Sequence, residues 1–80
     1  MDRCEEWLLA WFQKKGDLPE GFKNLNYFEL GLIDSFGVIE LISDVEKEFC
    51  MTFNEENFQD RRFASVSGLA EIVNEHLVKS

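Results

Sequence analysis

Gly31-Leu32-Ile33-Asp34-Ser35-Phe36-Gly37-Val38-Ile39-Glu40-Leu41-Ile42-Ser43-Asp44-Val45-Glu46-Lys47-Glu48-Phe49 is the stretch that decides how this chain folds. From Ser35 onward, Val38, Leu41, Ile42, Val45 and Phe49 cluster within about 100° of the helical wheel, the width of a core-facing stripe. The opposite face carries Glu40, Ser43, Asp44 and Lys47. Phe36 projects into the middle of that polar face, and Ile39 sits at its margin. The pattern predicts an amphipathic helix over 35–49, entered through an Asp-Ser pair. Either residue is fit to cap it, because a short side-chain oxygen can accept a bond from the backbone N–H groups ahead, worth about 1 kcal/mol.

Three further helical segments flank this one. Over 3–15, Cys4, Trp7, Leu8 and Trp11 share a face, with Phe12 at its edge. Asp2, Glu5 and Glu6 stand early and Lys14 and Lys15 late, as the helix dipole prefers, and Gly16 ends the segment. Residues 16–34 contain Pro19, Gly21 and Gly31 and make a connection long enough to suggest function. Phe22, Leu25, Tyr27, Phe28, Leu30 and Leu32 give it groups to bury, so it is expected to lie across the helices, with a short turn near 27–30. A short helix over 54–59 has Asn54 as its cap and Glu55 and Glu56 in its first turn, with Phe58 and Phe63 as anchors. The last helix starts after a capping Ser65 and runs to about Val78, burying Val66, Leu69, Ala70, Val73 and Leu77. No segment alternates with a two-residue period. The expected fold is therefore all-α, a small four-helix bundle with a long first loop and a short third helix.

Eighty residues make one small domain, 1–80, without internal repeats or linkers. Eight Phe and two Trp argue against disorder despite a net charge of −8. That charge opposes binding to nucleic acid and anionic membranes and favours basic protein partners. Two cysteines, Cys4 and Cys50, allow at most one bridge and read as small core residues. No apolar run is long enough to span a bilayer, and no secretory leader is recognisable. A soluble, cytoplasmic, monomeric protein of a reducing compartment is expected, with no membrane insertion.

Ser35 carries the chemistry. A nucleophilic serine needs a base within hydrogen-bond reach. The only histidine, His76, falls at the edge of the last helix's apolar face and reads as a half-buried surface residue. A nucleophile elbow would need glycine on both sides of the serine, and Ile33 occupies one of those positions. No catalytic residue is assigned and an enzyme is not expected. A serine where a loop becomes a helix is instead a good attachment point, since a phosphate on its hydroxyl would sit over free backbone N–H groups, where negative charge is favoured by roughly 0.3–1 kcal/mol. Simple capping is the plainer account of Asp34-Ser35. Against it stand the long loop, the acidic face and Phe36, a large apolar group on a polar face that is better explained by docking than by burial under the loop. Gly37 weakens the first turn by roughly 0.5–1 kcal/mol relative to alanine; it either lets a partner or an attached group come close or is a tolerated weakness. No zinc spacing, calcium loop or glycine-rich phosphate loop is present, so no metal is assigned. Arg61-Arg62 is a basic island that neutralises nearby carboxylates or the preceding helix end.

Tyr27-Phe28-Glu29-Leu30-Gly31-Leu32-Ile33-Asp34-Ser35-Phe36, with Glu40 five residues after the serine and Glu48-Phe49 beyond, resembles the attachment region of acyl carrier proteins. The resemblance covers most of the chain. It implies that Ser35 holds 4′-phosphopantetheine, transferred from coenzyme A by a separate Mg²⁺-dependent phosphopantetheinyl transferase, which makes the chain a phosphoprotein. The arm's thiol then carries acyl groups as thioesters. The implied partners are acyl-loading and acyl-processing enzymes of fatty-acid biosynthesis or specialised lipid metabolism. They would present basic patches to Asp34, Phe36, Ile39, Glu40, Ser43 and Asp44. Phe36, Gly37, Lys47 and Cys50-Met51 depart from the usual pattern and point to a dedicated, stand-alone pathway. The Asp34-Ser35-Phe36-Gly37 sequence is also similar to D-alanyl carrier proteins, which keeps an aminoacyl cargo open. An unmodified carrier-like interaction module is the third reading.

Overall fold

Capping decides where each helix begins. Asp34 is extended (φ −109°, ψ −176°) and its Oδ1 accepts the Gly37 N–H at 2.7 Å, so the helix starts at Ser35 and runs to Phe49. Asn54 and Asn57 cap each other, each side chain accepting the other's backbone N–H at 3.1 and 2.9 Å, and open a short helix. Ser65 Oγ accepts the Gly68 N–H at 3.1 Å and opens the last one.

The computed structural model describes residues 3–79. Its order is α1 (Arg3–Gln13), a 3-10 turn (Phe22–Asn24), α2 (Ser35–Phe49), α3 (Glu55–Gln59), a second 3-10 turn (Arg61–Ala64) and α4 (Val66–Lys79). Among the described residues there is no strand, and no helix is long and apolar enough to cross a membrane. The molecule is a small all-helical bundle around one hydrophobic core.

α4 is the central element. It packs against α1 and both 3-10 turns, and Val66, Leu69, Ala70, Ile72 and Val73 are all buried. Gly68 lets the second 3-10 turn lie against it, because a Cβ there would stand within 2.6 Å of the Arg62 Cα. Tyr27 ties the long loop to the same turn. Its N–H donates to the Ala64 carbonyl at 3.1 Å and its buried hydroxyl to the Phe63 carbonyl. Asn26 Oδ1 accepts the N–H groups of Phe28 and Glu29 and shapes the turn at 27–31.

α2 is fastened to α1 along an antiparallel seam of side chains. Arg3 pairs with Glu48 at 3.5 Å, Trp7 meets the Phe49 ring edge-on at 5.5 Å, and the Trp11 indole donates to Asp44 at 2.8 Å. Lys15, in the turn after α1, pairs with Glu40 at 3.2 Å. Positions 3, 7, 11 and 15 are four residues apart, as are the charged α2 partners 48, 44 and 40, the neighbour spacing of a helix face.

Several expectations need correction. α1 ends at Gln13, because Lys14, Lys15 and Gly16 form a tighter closing turn. Phe63 is buried, but Phe58 remains 46% exposed and touches Phe53 and Phe63 by one side of its ring. Leu77, in the last turn of α4 where cover thins, remains 39% exposed, whereas Ile72 is fully buried. In the long loop Phe22, Tyr27 and Ile33 are buried, while Leu25, Phe28 and Leu30 keep substantial surface. Cys4 is a core residue, but Cys50 is not. It occupies the left-handed cap of α2 (φ 52°, ψ 49°), its N–H donating to the Glu46 carbonyl, and its thiol faces solvent.

Candidate functional site at the mouth of α2

Ser35 is the first residue of α2 and is exposed. Because Asp34 provides the cap, the serine hydroxyl is left out of it. Gly31, at φ +70°, supplies the left-handed turn that brings the loop into this position. Gly37 has an internal explanation: a Cβ would come within 2.9 Å of Ile33 Cγ1 and 3.3 Å of the capping Asp34 oxygen. Its smallness serves the cap and the Ile33 side chain that closes the core beneath it.

Phe36 is 82% exposed and Ile39 67%, so the loop does not cover them. With Ser43, Glu40 and Asp44 they line an open groove of about 310 Å³ along α2. Five of the six residues named for this surface line the groove, whereas Asp34, the cap, lines a neighbouring cleft, and the five differ in freedom. Glu40 is held by Lys15, and Asp44 is half-buried and accepts from the Trp11 indole. The apolar pair stands clear while two of the carboxylates are tied to α1.

A second cleft, of about 290 Å³, opens on the other side of Phe36. Trp11 and Lys15 form one wall, and residues 31–34 with Phe36, Gly37 and Glu40 the other. Lys15 and Trp11 are the site residues that the sequence did not single out. The four-residue step from Trp11 to Lys15 was visible, but its pairing with α2 depends on how α1 and the turn after it pack against α2.

His76 lies elsewhere. Its Nε2 is 2.8 Å from Asn57 Oδ1 and its ring meets Phe53 edge-on, in a polar cleft lined by Asn54, Asp60 and Arg62. Arg62 bonds Asp60 and Glu75 and sits 3.8 Å from Glu71. The bonds from Arg62 hold the Asp60 carboxyl below the usual carboxylate range. The imidazole is held there, away from Ser35.

No known family model, curated protein or solved structure matches this chain.

Proposed function

We propose that this protein is an acyl carrier. Ser35 accepts 4′-phosphopantetheine, and the arm delivers thioester-bound acyl groups to partner enzymes. The observation that carries the reading is the division of labour between Asp34 and Ser35. One caps the helix, and the other presents a free hydroxyl at its start. The chain's residues fit the group. The serine is exposed, and negative charge is favoured over the first turn of a fifteen-residue helix. The helix order, with a long first loop and a short third helix, supports a bundle of the acyl-carrier type.

In the attachment step the Ser35 oxygen attacks the phosphorus of coenzyme A that bears the pantetheine. A new ester bond forms, the pyrophosphate bridge breaks, adenosine bisphosphate leaves, and the hydroxyl proton passes to a base of the transferase. The bound arm supplies the thiol that carries the cargo. The chain supplies orientation and recognition. Phe36 and Ile39 give a partner its apolar anchor, with Glu40, Ser43 and Asp44 around them and Asp34 at the helix cap. Acidic groups there steer basic partners more than they tighten the complex, which suits a shuttle that must let go.

Incubation with coenzyme A and a broad-specificity phosphopantetheinyl transferase should add one phosphopantetheinyl group by intact mass. Ser35→Ala should abolish the gain while leaving the circular dichroism spectrum unchanged. A folded protein that gains no mass refutes the carrier reading and leaves an interaction module built on Phe36 and Ile39. Offering the modified protein to acyl-loading and to adenylating ligases, and weighing the product, separates acyl from aminoacyl cargo.

A further inference from the structure

Phe36 and Ile39 stand three positions apart on α2, so their side chains share a face of the helix. Both are mostly exposed, and Phe36 lines the groove along α2 as well as the cleft beside it, which leaves its ring open on two sides. They form an apolar knob on a chain whose net charge is −8. The carboxylates next to the knob each have a partner already. Glu40 is paired with Lys15 at 3.2 Å. Asp44 accepts the Trp11 indole N–H at 2.8 Å, and Trp11 is buried, so an aspartate that swung outward would leave a buried donor unpaired. Asp34 is occupied as the helix cap, holding the Gly37 N–H at 2.7 Å.

Resting on the carrier reading, we propose that the transferase acting on Ser35 recognises this face through an apolar pocket for Phe36 and Ile39, not through the basic patch that the sequence resemblance implies. An enzyme that reaches the Ser35 oxygen must also cover Phe36, the next residue in the chain. The pocket takes one aromatic ring and one branched aliphatic chain, and its rim is neutral where it passes Glu40 and Asp44. A partner cation brought to Glu40 would also approach the Lys15 ammonium, and that repulsion offsets what the carboxylate offers. The charge of the whole chain still steers the encounter. Affinity is decided by the two apolar side chains at the centre of the contact.

The test follows phosphopantetheinyl transfer from coenzyme A by a broad-specificity transferase, with initial rates read by intact mass at one fixed salt concentration. Ile39→Ala and Phe36→Ala should each lower kcat/KM by about tenfold or more, mainly through KM. The urea midpoint should hold in both, because both side chains are mostly exposed. Ile39→Ala is the cleaner variant, since it does not adjoin Ser35. Phe36→Leu should recover part of the loss. Glu40→Gln and Asp44→Asn should each cost about two- to threefold, through weaker steering. Lys15→Gln, which frees Glu40, should raise kcat/KM by no more than the same factor. A tenfold rise in Lys15→Gln, or a loss in Glu40→Gln or Asp44→Asn as large as that in Ile39→Ala, overturns the apolar pocket in favour of a basic patch. Apolar variants that keep the full rate overturn it too. In each of those cases Ser35 still gains mass and the carrier reading stands. A folded wild-type protein that gains no mass removes the carrier reading and this proposal together.

Discussion

Cys50 shows how much one residue's backbone can matter. It is the only described non-glycine residue with positive φ, and it occupies the left-handed cap of α2. A side chain in that region costs roughly 1–2 kcal/mol, which glycine avoids. Cys50→Gly should therefore stabilise the protein by about 1 kcal/mol in urea unfolding, with no loss of core because the thiol faces solvent. Gly68 is the opposite case. Inside a helix, glycine to alanine ordinarily gains about 0.5–1 kcal/mol. Here the added carbon meets the Arg62 backbone, which cannot swing aside as a side chain would. Gly68→Ala should instead destabilise by about 1–3 kcal/mol. Equal or greater stability in that variant would show that the second 3-10 turn is not pinned against α4.

At the scale of elements, the loop from α1 to α2 is held by Tyr27. Burial pushes its phenol well above the ordinary value. The folded protein therefore holds this proton at a pH where the unfolded chain has released it. The stabilisation is complete below the unfolded phenol's pKa of about 10 and is lost progressively as pH rises beyond it. Unfolding followed above pH 10 should show stability falling with pH, and Tyr27→Phe should flatten that slope. The same substitution should lower stability at neutral pH by about 1–3 kcal/mol, because the Phe63 carbonyl loses its donor. The elements differ in how legible they were. The bounds of α2 and the Asn54 and Ser65 caps follow from local rules, since a cap and the backbone N–H that donates to it lie three residues apart. Ile72 did not, because a single-stripe reading assumes one neighbour, and α4 is enclosed by several. The exposure of Phe36 was legible from its phase on the wheel. The tethering of Glu40 and Asp44 was not, because their partners lie 25 and 33 residues away on another element.

For the whole molecule, two electrostatic effects oppose each other. The ion pairs Arg3–Glu48, Lys15–Glu40 and Arg62 with its carboxylates are attractive, but all are at least partly exposed and worth little singly. Sixteen acidic residues against eight basic ones leave a net charge of −8, which opposes the compact state. The balance depends on range. At 0.01 M salt the screening length is about 30 Å, comparable to the 34 × 28 × 21 Å dimensions of the bundle, so every excess carboxylate repels every other. At 0.15 M it is about 8 Å, and only immediate neighbours interact. Added salt should therefore remove more repulsion than attraction. Thermal melts between those two salt concentrations should show the midpoint rising, by about 4–8 °C for each kcal/mol of relieved repulsion in a domain of this size. A midpoint that falls with salt would mean that the α1–α2 seam and the Arg62 cluster outweigh the net charge. Neutralising Lys15 or Arg62 should then reverse the trend.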